Sequence, residues 1–142
     1  MRMNRRSFQK LAEARLLDAK ALLKAKRYDA AYYMAGYAIE CALKACIAKK
    51  TRLYDFPPKN AREVYTHELE DLVRSAEIAK SFQQDRAMDP KLAQYWEIVK
   101  EWTPVDGRYD LRGATGVRSA KALLLAMDDR HHGVLQCLSK YW

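Results

Sequence analysis

Glycine and proline are scarce in this chain, at 5 and 4 of 142 residues. That shortage excludes a loop-rich, collagen-like or low-complexity disordered polypeptide. Cysteine is scarcer still, with only Cys41, Cys46 and Cys137. An odd number without a disulfide framework suits a reducing compartment. The five-residue spacing of the first two fits neither a zinc-ligand pair nor a C-x-x-C redox pair. All three fall in apolar helical patterns, where free cysteine packs as a small hydrophobe. Walker-type and G-x-G-x-x-G loops are absent, which removes the commonest phosphate-cradling motifs. The basic start MRMNRRSFQKL lacks the run of roughly 7 to 15 apolar residues that defines a signal peptide. Residues 28 to 48 are apolar enough to suggest a membrane span, but they contain Asp29, Glu40 and Lys44. Each would cost roughly 2.5–3.5 kcal/mol near the centre of a membrane helix. The expectation is a soluble, cytoplasmic protein without a membrane segment.

What is present is apolar mass and positive charge. Hydrophobic residues make up 49% of the chain, enough for a core in a single domain spanning residues 1–142. Lysine and arginine number 26 against 18 acidic residues, a net charge of +8. Such an excess favours contact with a polyanion, without specifying which. A solvated basic surface explains the same total.

The apolar residues recur at helical spacing. From Ser7, read as an N-cap, Phe8, Leu11, Ala12, Leu16, Ala19, Leu22 and Leu23 form one stripe. KAKRYD at 24 to 29 predicts a tight reversal into a second, antiparallel helix from Asp29 to Lys49. That helix is apolar on most sides, so it belongs at the centre of a bundle or in a bundle plus a dimer interface. TRLYDFPPKN, residues 51 to 60, reads as a loop. Thr66 reads as the cap of a short helix with Leu69, Leu72, Val73 and Ala76 on its buried side. SFQQDRAMDP reads as a connection ending in an Asp89 cap and Pro90. Leu92, Tyr95, Trp96, Val99 and Trp102 mark the next helix. A loop over residues 103 to 116 then leads into a long final helix, with Ala120, Leu123, Leu124, Met127, His131, Val134, Leu135 and Leu138 on one face and a kink at Gly133. No segment alternates like a strand. The predicted fold class is all-α, an up-and-down bundle of about five helices.

Within the second helix, AGYAIECALKA places Glu40 among residues that should be buried. An unpaired buried carboxylate costs several kcal/mol, so Glu40 needs partners. Lys44, one turn later in the favourable acid-first order, is one. Arg108, Tyr37 or a backbone amide could complete the set. Glu40 and Lys44 are therefore read as a structural anchor, with Glu40 expected to hold the 103 to 116 loop through Arg108.

The run LLDAKALLKAKRYDAAYYMAGYAIECALKACIAKK resembles the first helical hairpin of the HEPN domain family. Ala31, Tyr32, Tyr37, Ala38, Glu40, Leu43, Lys44 and Ala45 match that family's second-helix pattern. THELEDL resembles its later helix start, at His67, Leu69 and Leu72. GRYD resembles an Arg-Tyr element that follows a Trp-containing helix, here Arg108 and Tyr109 after Trp102. The resemblance implies a helical bundle, often a homodimer, acting as a nucleotide- or RNA-associated module. Many members accompany a minimal nucleotidyltransferase, and some are toxins of toxin–antitoxin pairs. Its ribonuclease members carry an R-x(4–6)-H motif.

Arg62-Glu-Val-Tyr-Thr-His67 has that spacing. In a metal-independent ribonuclease, His67 would move a proton at the ribose 2′-OH or the leaving oxygen, and Arg62 would stabilise the phosphorane. His67 also coincides with the helix-start histidine of members lacking the nuclease motif, where it would be a helix N-terminal or interhelical hydrogen-bonding residue. Arg108, Arg112 and Arg118, with Arg86 in another loop, suit phosphate, and Tyr109 suits base stacking. His131 and His132 point about 100° apart on a helix and do not suggest a metal site; His131 is read as a core or interface residue. No cofactor is indicated. The reading ranks a nucleotide- or nucleic-acid-associated partner module, plausibly a homodimer serving a minimal nucleotidyltransferase, ahead of an endoribonuclease toxin using Arg62 and His67. A purely structural dimerisation module comes third.

Overall fold

The first helix begins earlier than its apolar stripe suggests. Asn4, not Ser7, is the cap: its Oδ1 accepts from the Ser7 amide at 2.9 Å, and α1 runs Arg5–Lys24. In the computed structural model, residues 3–50, 66–104 and 116–142 are described. All elements among them are helices: α1, then α2 (Tyr28–Lys50), α3 (Leu69–Ser75), α4 (Ala79–Met88), α5 (Pro90–Val99), α6 (Gly116–Asp128) and α7 (Val134–Leu138). The bundle class holds, with seven helices among the described residues where about five were expected. The 51 to 60 loop reading lies outside the described residues, as does most of the 103 to 116 loop.

Helix α2 is the axis of the bundle. It packs along α1 and also touches α3, α6 and α7. Thirteen of its residues are buried, because small alanines let neighbours approach from most sides. The turn before it is a Schellman motif: the Arg27 amide donates to Leu22 O at 2.8 Å and the Lys26 amide to Leu23 O at 3.0 Å. Lys26 occupies the left-handed position, at φ 61°, where glycine is usual. Helix α3 ends the same way. Ile78 and Glu77 donate back to Val73 O and Arg74 O, with Glu77 at φ 58°.

Three connections depart from the sequence reading. SFQQDRAMDP is mostly helix, α4, because one residue anchors it. Phe82 is fully buried with its ring edge-on to Trp96 at 4.9 Å. Arg86, expected in a loop as a phosphate ligand, lies in this helix with its guanidinium 4.5 Å from the Phe82 ring centre. Thr66 is not a helix cap either. Its Oγ1 accepts from the Glu68 amide, a turn ahead of α3, whose cap position is Glu68. Finally, the long last helix is two. Asp129 Oδ1 takes the amides of His131 at 2.9 Å and His132 at 3.0 Å, an Asx turn that competes with helix propagation. Gly133 then starts α7 in an extended conformation instead of kinking one helix. His131, displaced by that turn, is exposed and not in the core.

Other readings are matched. Asp89 caps α5 by accepting from the Lys91 and Leu92 amides, with Pro90 at the first turn. Trp102, read as part of the same helix, instead lies beyond its end at Val99; it is buried, and it covers Gly36 so closely that a Cβ there would run into the indole. Cys41, Cys46 and Cys137 are buried free thiols. Burial pushes the pKa of each up to about 12, which makes them inert packing residues. No helix among the described residues is long and apolar enough to cross a membrane.

Candidate functional site

One charged side chain is buried among the described residues, and it is Glu40, 1% exposed. It sits mid-way along α2, on the side that meets the chain entering α3. Its two oxygens are divided between two partners. Oε2 accepts from Lys44 Nζ at 3.2 Å, the intrahelical pair expected from the spacing. Oε1 contacts His67 Nδ1 at 2.6 Å, joining α2 to the segment just ahead of α3.

This division dictates chemistry. An ionised Glu40 carboxylate paired with the Lys44 ammonium can only accept on its other oxygen, which assigns the hydrogen of that contact to His67 Nδ1. In the neutral ring, Nε2 is then left with its lone pair. Lys44 is 13% exposed and the His67 side chain 54% exposed, so a buried carboxylate holds two groups that reach the surface. Such a carboxylate–imidazole pair fixes ring orientation and tautomer, whether for structure or for proton transfer.

The same side of α2 continues one and two turns back into aromatic residues. Tyr37 stacks on Tyr33 with centroids 6.3 Å apart and planes 5° from parallel, and Tyr33 lies 6.3 Å from Trp102. Burial, then the neighbouring Cys41 and Glu40, raise the pKa of the Tyr37 hydroxyl, so it stays a neutral phenol near pH 7.

The remaining sequence candidates divide. Arg118 is exposed on the first turn of α6. Arg62, Arg108, Tyr109 and Arg112 lie outside the described residues, so the second half of the R-x4-H motif, His67, is placed and the first is not. The Glu40–Arg108 contact likewise lies outside them; the partners seen for Glu40 are Lys44 and His67. Sequence reasoning named each of Glu40, Lys44 and His67 but did not join the third to the first two. The available signal was the lone histidine immediately ahead of the short helix that follows α2.

A second polar network was missed altogether. Asp89 Oδ2 contacts His132 Nδ1 at 2.8 Å, and Tyr95 donates to Asp129 at 2.8 Å. Asp85 accepts from Tyr141, from Lys140 at 3.2 Å and from the Cys137 thiol at 3.4 Å. These contacts fasten the end of the chain to α4 and α5. The Tyr95 hydroxyl, then the His131 and His132 amides, hold the Asp129 carboxyl at about 2. Asp89 is lowered chiefly by His132. Burial works against ionisation of Asp85, but the hydrogen bonds from Tyr141, Cys137 and Lys140 outweigh it and the carboxyl is lowered. The cluster is a fastening, and among the described residues no group of three His, Cys, Asp or Glu side chains is arranged to hold a metal.

The model of the HEPN domain family matches residues 6–101, which run from α1 through α5 and include Glu40, Lys44 and His67. The chain is a HEPN-family protein. Neither the curated proteins nor the solved structures gave a match. HEPN membership supports a nucleotide- or RNA-related module in general. In this HEPN chain, α6 and α7 lie beyond the matched span, and the fastening ties that end of the chain to Asp85, Asp89 and Tyr95 within it.

Proposed function

We propose that this HEPN protein is a nucleotide- or nucleic-acid-binding module that acts as the non-catalytic partner subunit of a minimal nucleotidyltransferase, as a homodimer. The observation that carries the binding reading is the basic surface on a HEPN bundle. The net charge is +8, and Lys26, Arg27 and Arg118 are exposed without an ion pair among the described residues. Titrating fluorescent single-stranded RNA and a labelled adenine nucleotide at several salt concentrations tests it. Binding that weakens steeply with salt is expected. Absence of binding to both probes at low salt contradicts it. Co-elution with a nucleotidyltransferase encoded in the neighbouring gene, at equal numbers of subunits, tests the partner role.

One observation favours a second reading, the endoribonuclease using Arg62 and His67. Glu40 supports His67 as an orienting carboxylate supports a general base, leaving Nε2 as a proton acceptor. His67 would take the 2′-OH proton as that oxygen attacks phosphorus. The 5′ oxygen would leave with a proton from water, giving a 2′,3′-cyclic phosphate and a 5′-hydroxyl, and His67 would return its proton to the solvent. RNA cleavage by the purified protein that is lost in His67→Ala supports this reading; intact RNA after prolonged incubation removes it.

A further inference from the structure

The turn between α1 and α2 borders an open cleft of about 440 Å³, lined by Lys26, Arg27, Tyr28, Asp29 and Ala30, with Gly116 at the start of α6 also in its lining. Its volume falls within the range of small-molecule sites. Its charges are unspent: neither Lys26, Arg27 nor Asp29 forms an ion pair among the described residues. A second cleft, of about 290 Å³, offers a contrast. It is lined by Asp85, Asp89, His132 and Lys140, which are already paired with one another or with the end of the chain. Among the described residues, the first cleft therefore keeps its cations available, and the second does not.

The side chains of the first cleft are also of more than one kind. Lys26 and Arg27 supply an ammonium and a forked guanidinium, the pair of donors that suits phosphate oxygens. Tyr28 adds a ring. Asp29 is the discordant member, since a carboxylate repels phosphate. It is instead an acceptor for hydroxyl donors, which a ribose provides and a bare phosphate does not.

We propose that this cleft binds a nucleoside phosphate, with Lys26 and Arg27 on the phosphate and Asp29 accepting from a ribose hydroxyl. The inference rests on the nucleotide-binding reading above and locates its site at the α1–α2 turn. Both cations meet the same group, so losing them weakens binding together. Asp29 discriminates sugar from no sugar, and ribose from deoxyribose if the 2′-OH is its donor.

Isothermal titration with AMP, 2′-deoxy-AMP and inorganic phosphate tests the site, on the wild type, Arg27→Ala, Lys26→Gly/Arg27→Ala and Asp29→Asn. Thermal unfolding of each variant shows that it remains folded. AMP is expected to bind better than 2′-deoxy-AMP and much better than phosphate. Arg27→Ala should weaken AMP by about tenfold or more, the scale of one charged hydrogen bond, and the double variant further. Asp29→Asn should narrow the preference for AMP over 2′-deoxy-AMP. Wild-type binding of AMP that the double variant leaves unchanged overturns the site while the nucleotide reading stands. Binding of RNA without AMP does the same. Phosphate binding as tight as AMP overturns the nucleoside assignment. A wild type that binds neither AMP nor RNA removes both.

Discussion

The carboxylate of Glu40 and the imidazole of His67, 27 residues apart in the chain, meet at 2.6 Å and tie the central helix to the start of α3. The contact is buried on one side only. Replacing Glu40 by alanine empties a site in the core and releases His67 and Lys44, both of which recover water. The expected loss is about 2–3 kcal/mol, read from chemical denaturation, because the penalty falls on the cavity more than on stranded charges. Glu40→Gln keeps the volume and should cost about 1 kcal/mol, through loss of two charge-assisted bonds. Equal and negligible effects of both substitutions would show that the contact is not an anchor.

Two charged residues occupy positions that favour glycine. Glu77→Gly should raise stability by about 1 kcal/mol, since it relieves the left-handed conformation at the end of α3, and should leave ligand binding alone. Lys26→Gly should raise stability by a similar amount at the end of α1 but weaken nucleotide binding. The pair separates strain from function in one thermal-shift and titration experiment. A drop in melting temperature for either variant contradicts the strain assignment.

Gly36 is required by contact, not by conformation. A methyl group there would enter the rigid Trp102 indole, which has no flexible end to yield. Gly36→Ala should destabilise by about 1–3 kcal/mol and move the tryptophan emission to longer wavelength as Trp102 is lifted. Unchanged stability and emission would mean that Trp102 does not rest on α2.

The end of the chain is acid-sensitive in a defined direction. Asp129 at about 2, with Asp85 and Asp89 also lowered, has a folded pKa below that of an unfolded aspartate. The stability these groups contribute is therefore present above about pH 4 and lost as the pH falls from there towards 2. Thermal unfolding followed between pH 5 and pH 2 should fall steeply in the wild type and less steeply in Asp129→Asn. Parallel curves would rule out the Asp129 contribution.

The bundle class was legible because α1, α2 and α5 carry repeating apolar positions, and their neighbours need only cover them. Helix α4 was not, since a single phenylalanine, Phe82, holds it against Trp96 and no periodicity announces it. The split of the last helix was hidden because Met127, His131 and Val134 keep helical spacing across residues 129 to 133 once His131 is counted on the apolar face. Asp129 interrupts the helix with two local hydrogen bonds that a periodicity reading does not weigh. The site was half legible. Burial demanded partners for Glu40 and helical spacing supplied Lys44, but His67 arrives from a different segment, which only the packing of α3 on α2 brings close.

The account's central claim is that Glu40 holds His67 with its hydrogen on Nδ1. Long-range ¹H–¹⁵N correlation spectroscopy of the imidazole at neutral pH reads this directly. The account predicts a wild-type His67 with a protonated Nδ1 and, when the ring is neutral, an Nε2 signal of the unprotonated type. It also predicts return to the Nε2-protonated form in Glu40→Ala. A wild-type neutral ring protonated on Nε2, unchanged by removing Glu40, would contradict it.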